Sequence, residues 1–232
     1  MLDDPHTSRF FVTSDPQRHD IVLPLPSYWP TRPYEYAWAA GFADNRHVVL
    51  DAACGICHPF KFLLADTCAE THAIDCDGRI VLPEAILRDV AADFGEPAAA
   101  GLSRHYFDRI HFTCASITAM PYRDRMFDRV FCLSVLEHMP PVEVGRALAE
   151  LARVVRDDGL VIVTLDYPSL PLEVFAAAAA AAGLSPTGPR HDGLPPDAVF
   201  APAWGVYCYR TVLRRAAVRP IDGTAGAESL DR

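Results

Sequence analysis

The sequence predicts an α/β fold: a doubly wound, mainly parallel sheet of seven strands with helices on both faces. Three observations carry this expectation. Short β-rich runs alternate with segments whose apolar residues fall at helical spacing along most of the chain. The clearest of these runs passes through an acid into a turn of small residues and then into a helix. Half of the 232 residues are apolar and 22% are charged, which suits one folded domain with a single buried core.

The elements follow in order. The first 44 residues form an arm rich in proline and aromatic side chains, with Pro24, Pro26, Pro30 and Pro33 around Tyr28, Trp29, Tyr34, Tyr36 and Trp38. Within it Thr31, Arg32 and Pro33 open a helix that runs to about Ala40, because proline is tolerated in a first turn and Gly41 stands where a helix ends. A domain over residues 45–215 follows. Its first strand is residues 47–51 (HVVLD), with a helix over 59–65. Residues 71–75 (THAID) make the second strand, and 83–94 a helix with Ala85, Ile86, Leu87, Val90 and Ala91 on one side. Strands three and four are 110–115 and 129–134. Residues 141–155 form an amphipathic helix, 160–165 a fifth strand, 172–182 an alanine-rich helix, and 205–213 a last strand with alternating faces. The tail, residues 216–232, is small and polar and is expected to be flexible.

Composition excludes several function classes. No apolar run reaches the roughly 18 to 20 residues a membrane helix requires, so no membrane partner is expected. The acidic N-terminal stretch has no secretory apolar region, and a cytoplasmic chain is expected. A net charge of −9 argues against nucleic acid as a partner. The seven cysteines lie mostly in strand-like apolar runs and read as reduced, buried small hydrophobes. Cys54-Gly55-Ile56-Cys57-His58 also fits the haem-attachment pattern. That pattern needs an exported chain and would set a haem against the helix after the turn, so neither haem nor a metal is expected there.

In doubly wound sheets ligands bind beyond the carboxyl ends of the strands. Those positions are 51–58, 75–77, 116–117, 134–138 and 166–167. The loop from Asp51 to Cys57 offers a close backbone approach and free N–H groups, but it lacks the three glycines of a dinucleotide loop, so a nicotinamide enzyme is weakly supported.

The ordered set of motifs is more specific. Leu50 to Cys57 resembles motif I of the class I S-adenosylmethionine-dependent methyltransferases, an acid followed by a glycine-rich turn. Asp75 stands where that family places the acid for the ribose hydroxyls. Residues 116–122 (SITAMPY) with Phe127-Asp128-Arg129-Val130, then Val135-Leu136-Glu137-His138, then 148–163 resemble the family's later motifs in their order. Ala53 and Cys57 replace two motif I glycines, Ser116 an acid near the adenine, and Asp158 the first of a glycine pair.

The resemblance implies S-adenosylmethionine as cofactor, a Rossmann-like fold, no metal, and methyl transfer to a small molecule. It implies cofactor contacts at Asp51, Ala53, Cys54, Gly55, Asp75, Cys76, Ser116, Ile117 and Ser134. Arg32 would meet the methionine carboxylate and Tyr36 lie over the site, with the arm as a lid. His138 is the first candidate for acid–base catalysis, with Tyr167 and Asp166 as others. Tyr207 and Tyr209 share one strand face and are candidates to line the substrate cavity. The reading admits a homodimer. Two alternatives stay open: other chemistry on the same cofactor, such as cyclisation or aminocarboxypropyl transfer, and a non-catalytic partner subunit.

Overall fold

The computed structural model describes residues 4–216, so the tail from 217 onward lies outside the described residues. Seven strands lie on one continuous path of a sheet, and two short strands are added at its side. The path holds β1 (Arg9–Phe10), β2 (Val48–Ala52), β3 (Glu70–Asp75), β4 (Ile110–Cys114), β5 (Phe127–Leu133), β6 (Val155–Tyr167) and β9 (Val206–Arg215), in the order β1-β9-β6-β5-β2-β3-β4. From β4 across to β6 every pairing is parallel, and β9 runs antiparallel to β6. The two additional strands, β7 (Leu184–Pro186) and β8 (Phe200–Ala201), pair with β9 beside β1.

Helices cover both faces. On one face lie α1 (Arg32–Ala40) and α2 (Phe60–Thr67), whose Tyr36, Trp38, Phe60 and Leu64 pack with Val49, Phe131 and Ile162 of the sheet. The same face carries α3 (Pro83–Phe94), α4 (Glu96–Gly101) and α5 (His105–Arg109) toward the β4 edge, over Ala73 and Ile110. On the other face α6 (Pro141–Val154) and α7 (Leu172–Ala181) bury Leu148, Leu151 and Phe175 against Leu50, Val130, Val161 and Val163. Strand residues alternate between the two cores because successive side chains point to opposite faces.

Two departures from the sequence reading position the site. First, the arm is built into the fold rather than hinged beside it: β1 joins the sheet and α1 supplies part of a core, with Tyr36 and Ala39 almost wholly buried. Second, β6 begins at Val155, five residues before the expected start, and its pairing with β5 slips between Phe127 and Arg129. Gly159 sits at that irregularity. A Cβ there would meet Val155 Cγ2 at 2.7 Å and the Asp128 carbonyl oxygen at 2.9 Å, which explains why this glycine of the expected pair is kept while Asp158 replaces the other.

Candidate functional site

The loop after β2 is the centre of the site. Ala53 and Gly55 both adopt left-handed backbone, φ 55° and 61°. Glycine adopts this region freely, but for alanine it costs roughly 1 kcal/mol or more. The loop is held from below by Lys61 of α2, which is completely buried and donates to three backbone carbonyls: Cys54 at 3.3 Å, Gly55 at 2.8 Å and His58 at 2.6 Å. From the β3 side Asp75 accepts from the Gly55 N–H at 2.9 Å and from the Asp77 N–H at 3.0 Å. Asp51, at the end of β2, is buried on the face that carries Lys61. Burial lifts its pKa to about 7 against the lowering effect of Lys61, with Asp75 adding to the rise.

His58 closes the loop. Its ring lies where a side chain on Gly55 would be, 2.5 Å from such a Cβ at its nearest atom. Trp29 stacks on it with centroids 4.4 Å apart and planes at 12°, and the Tyr36 hydroxyl hydrogen-bonds its Nδ1 at 2.9 Å. Burial first, then Arg32 and Lys61, hold this histidine far below its usual pKa, so it stays neutral. Cys57 turns to the Asp93 carboxylate at 2.8 Å, and burial with that bond pushes its thiol up to about 12. The Cys54-Gly55-Ile56-Cys57-His58 pattern therefore splits, with Cys57 and His58 bonded to different partners and Cys57 far from thiolate form at neutral pH.

Two cavities adjoin this loop. A small one of about 70 Å³ lies between Arg32, Tyr36, Asp51, Ala53, Gly55 and Ser134. A larger one of about 470 Å³ is bordered by Trp29, Arg32, His58, His138, Asp166 and Trp204. Arg32 and His58 border both. Arg32 pairs with Glu35 at 2.7 Å, and Glu35 is wholly buried. Its Oε2 also accepts from Ser134 Oγ at 2.8 Å and Thr164 Oγ1 at 2.6 Å, which ties α1 to the ends of β5 and β6. Glu137 Oε1 accepts from the Asp166 N–H at 3.1 Å. Burial raises Glu137 to about 8, with Asp166 adding to the rise. Burial also raises Asp166 to about 6, with Glu35 adding and Arg32 opposing.

Of the sequence-predicted residues, Arg32, Tyr36, Asp51, Ala53, Cys54, Gly55 and Ser134 converge on the small cavity. Asp75, Cys76, Ser116 and Ile117 lie at or just beyond the neighbouring ends of β3 and β4. Cys76 and Ser116 are exposed and Ile117 is buried. His138 borders the large cavity. Tyr167 does not, because it shares a sheet face with Leu165 and packs edge-on against Phe10, 5.4 Å away. The same parity corrects the two last-strand tyrosines. Tyr209 meets Phe10 and donates to Asp192 at 2.9 Å on the far face, while Val206 borders the large cavity and Cys208 joins the core under α1. The sequence reading missed Lys61, Glu35 and the role of His58. A single lysine among Phe60, Phe62, Leu63 and Leu64, and a single glutamate among Tyr34, Tyr36 and Trp38, were the available signals, since an isolated charge in an apolar helix is buried only with partners.

Comparison with known proteins agrees with this layout. A family model described as a methyltransferase domain matches residues 50–163, from β2 into β6. The chain belongs to the class I S-adenosylmethionine-dependent methyltransferases. Methyltransferase GfsG of Streptomyces halstedii is 30% identical over 113 residues, 49% of this chain and 35% of that protein. The chain spans only 24% and 35% of the lengths of the curated relatives it matches. Among solved structures, the cyclase SpnF superposes with TM-score 0.58 at 17% identity, over 90% of this chain and 87% of that one. The Burkholderia thailandensis 1,6-didemethyltoxoflavin-N1-methyltransferase, solved with S-adenosylhomocysteine and 1,6-didemethyltoxoflavin, gives 0.51 at 19% identity, covering 85% and 80%. These likenesses are of fold. The methyltransferase cofactor is S-adenosylmethionine, and the Asp75 carboxylate stands at the strand end beside the Ala53–Gly55 turn, whose residues border the small cavity. No helix among the described residues is long and apolar enough to cross a membrane.

Proposed function

We propose that the chain transfers a methyl group from S-adenosylmethionine to a small-molecule acceptor held in the larger cavity. The observation that carries this reading is the shared border: Arg32 and His58 separate the loop cavity from the larger one, so an acceptor there adjoins whatever the loop holds. S-adenosylmethionine, when bound, supplies an electrophilic methyl on a sulfonium. The chain's own residues position and desolvate. Asp75 and the backbone of residues 53–55 hold the ribose and methionine portions, and Arg32 the carboxylate. Cys76, Ser116 and Ile117 flank the adenine. Trp29 and Trp204 exclude water from the acceptor side.

The small cavity is much narrower than the larger one, about 70 Å³ against about 470 Å³, and His58, under Trp29, borders it. Entry of the methionine end thus needs the Trp29–His58 stack to move. The lid is that stack and the segment before α1, not the whole arm, since α1 is core. The proposed division is an arm to residue 44 and a cofactor domain over 45–215. A cytoplasmic protein, with a homodimer admitted, completes the proposal.

His138 is the proposed base where the acceptor must lose a proton. His138→Ala is expected to lower turnover by about 10² to 10⁴ and leave S-adenosylhomocysteine affinity nearly intact. Near-normal turnover in the variant removes His138 from catalysis. Product mass tests the reaction class: adenosylhomocysteine supports methyl transfer, whereas methylthioadenosine supports aminocarboxypropyl transfer and refutes it.

A further inference from the structure

The larger cavity is one-sided in charge. Its border holds one permanently charged cation, Arg32, already paired with Glu35, together with the carboxylate of Asp166. Glu137 stands directly behind, bonded to the Asp166 N–H. Burial favours the protonated form of Glu137, Arg32 is already bonded to Glu35 and His58 is neutral, so Asp166 is the carboxylate left to meet a charge at this border. Asp166, the one of these acids that borders the cavity, also keeps its buried Oδ1 without a hydrogen-bond partner. Unmet acceptors in a buried place are costly, and a donor that arrives with positive charge relieves that cost most. The walls add two indoles, Trp29 and Trp204, the latter 58% exposed at the mouth. Indole faces attract cations.

We propose that the acceptor is an amine that enters as its ammonium, its N–H groups directed to Asp166 and its charge flanked by Trp29 and Trp204. This rests on the methyl-transfer reading and names the acceptor class for it. The small cavity lacks both tryptophans, His138 and Asp166, so the cation recognised here is the acceptor's and not the methionine ammonium. The step balances as follows. The ammonium gives one proton to His138 or Asp166. The freed nitrogen lone pair forms the N–C bond to the methyl as the S–C pair returns to sulfur. The product is an N-methylammonium with a neutral thioether.

The test uses the whole chain saturated with S-adenosylhomocysteine, whose own affinity is measured first by calorimetry. Benzylamine, benzyl alcohol and benzoate are the probes, followed by calorimetry and tryptophan fluorescence with and without a chelator. Benzylamine is expected to bind at least about tenfold more tightly than the alcohol, the scale of a charged hydrogen bond, and benzoate more weakly than either. Asp166→Asn should erase most of that preference, and Trp204→Leu, at an exposed position that folding tolerates, should reduce it, both at unchanged S-adenosylhomocysteine affinity. Equal binding of amine and alcohol, preference for benzoate, or binding of none overturns the proposal. So does amine binding that the chelator abolishes, because a divalent cation would then occupy the carboxylates. Failure of S-adenosylhomocysteine itself to bind points instead to failure of the cofactor reading.

Discussion

Replacing Lys61 with methionine keeps the length and apolar stem of the side chain and removes only the ammonium. Three loop carbonyls, of Cys54, Gly55 and His58, then lose the donor that now reaches them at 3.3, 2.8 and 2.6 Å. Each buried acceptor left without a partner costs about 1 to 3 kcal/mol, and some relaxation of the loop recovers part of the total. Asp51 loses the positive charge that opposes its burial, a loss it can escape by taking a proton, since its pKa already stands at about 7. The expected loss is therefore about 3 to 5 kcal/mol, the range for removing one partner of a buried charged group. For a domain of this size that lowers Tm by roughly 10 °C or more. Urea denaturation at pH 5 and at pH 8 is the assay. The loss should be larger at pH 8, where the native Asp51 is ionised and depends on Lys61, than at pH 5, where it is neutral. A loss below about 1 kcal/mol refutes the anchoring role, and equal losses at the two pH values refute the coupling to Asp51.

Other consequences concern titration and the loop. Asp51, Glu137 and Asp166 have folded pKa values of about 7, 8 and 6, all raised above their unfolded values. Each contributes stability that is complete below the unfolded pKa and is lost as pH rises through the folded one, so the ligand-free chain should lose stability between pH 5 and 8. The slope is up to about 1.4 kcal/mol per pH unit for one group, and a flat or rising profile in denaturant titrations counts against these burials. Asp75→Ala should weaken S-adenosylhomocysteine about tenfold or more through lost charged hydrogen bonds and a freed Gly55 N–H, and calorimetry showing unchanged affinity sinks the assignment. Ala53→Gly removes an alanine from φ 55° and should raise folding stability by up to about 1 kcal/mol. A clear loss of stability would mean the alanine methyl makes packing contacts worth more than the strain.

Much of the fold was legible because it follows local periodicity. The helix over 83–94 coincides with α3, and the runs 47–51 and 71–75 fall within a residue of β2 and β3. Strands β1, β7 and β8, of two or three residues, are too short to show a period, and they exist because the outer edge of β9 is there to pair with. The short α4 and α5 were likewise missed, each too brief to repeat a helical turn more than once. The loop after β2 was legible as a strand–turn–helix junction because an acid, small residues and a helix start are adjacent in the chain.

The sequence by itself determined the alternating strand–helix order, the Asp51–Gly55 turn and the placement of His138 just after a strand end. Each of these needs only residues within a few positions of one another. Which residues of β6 and β9 face the site was decided by tertiary structure. A strand shows alternation but not which face the chain will cover, and here α1 took the side of Thr164, Asp166 and Cys208, leaving Tyr167 and Tyr209 to the opposite core. The same holds for Glu35, whose partners Ser134 and Thr164 are 99 and 129 residues away. The energy of a buried charge depends on the groups that folding brings around it, and no local pattern specifies groups so distant in the chain.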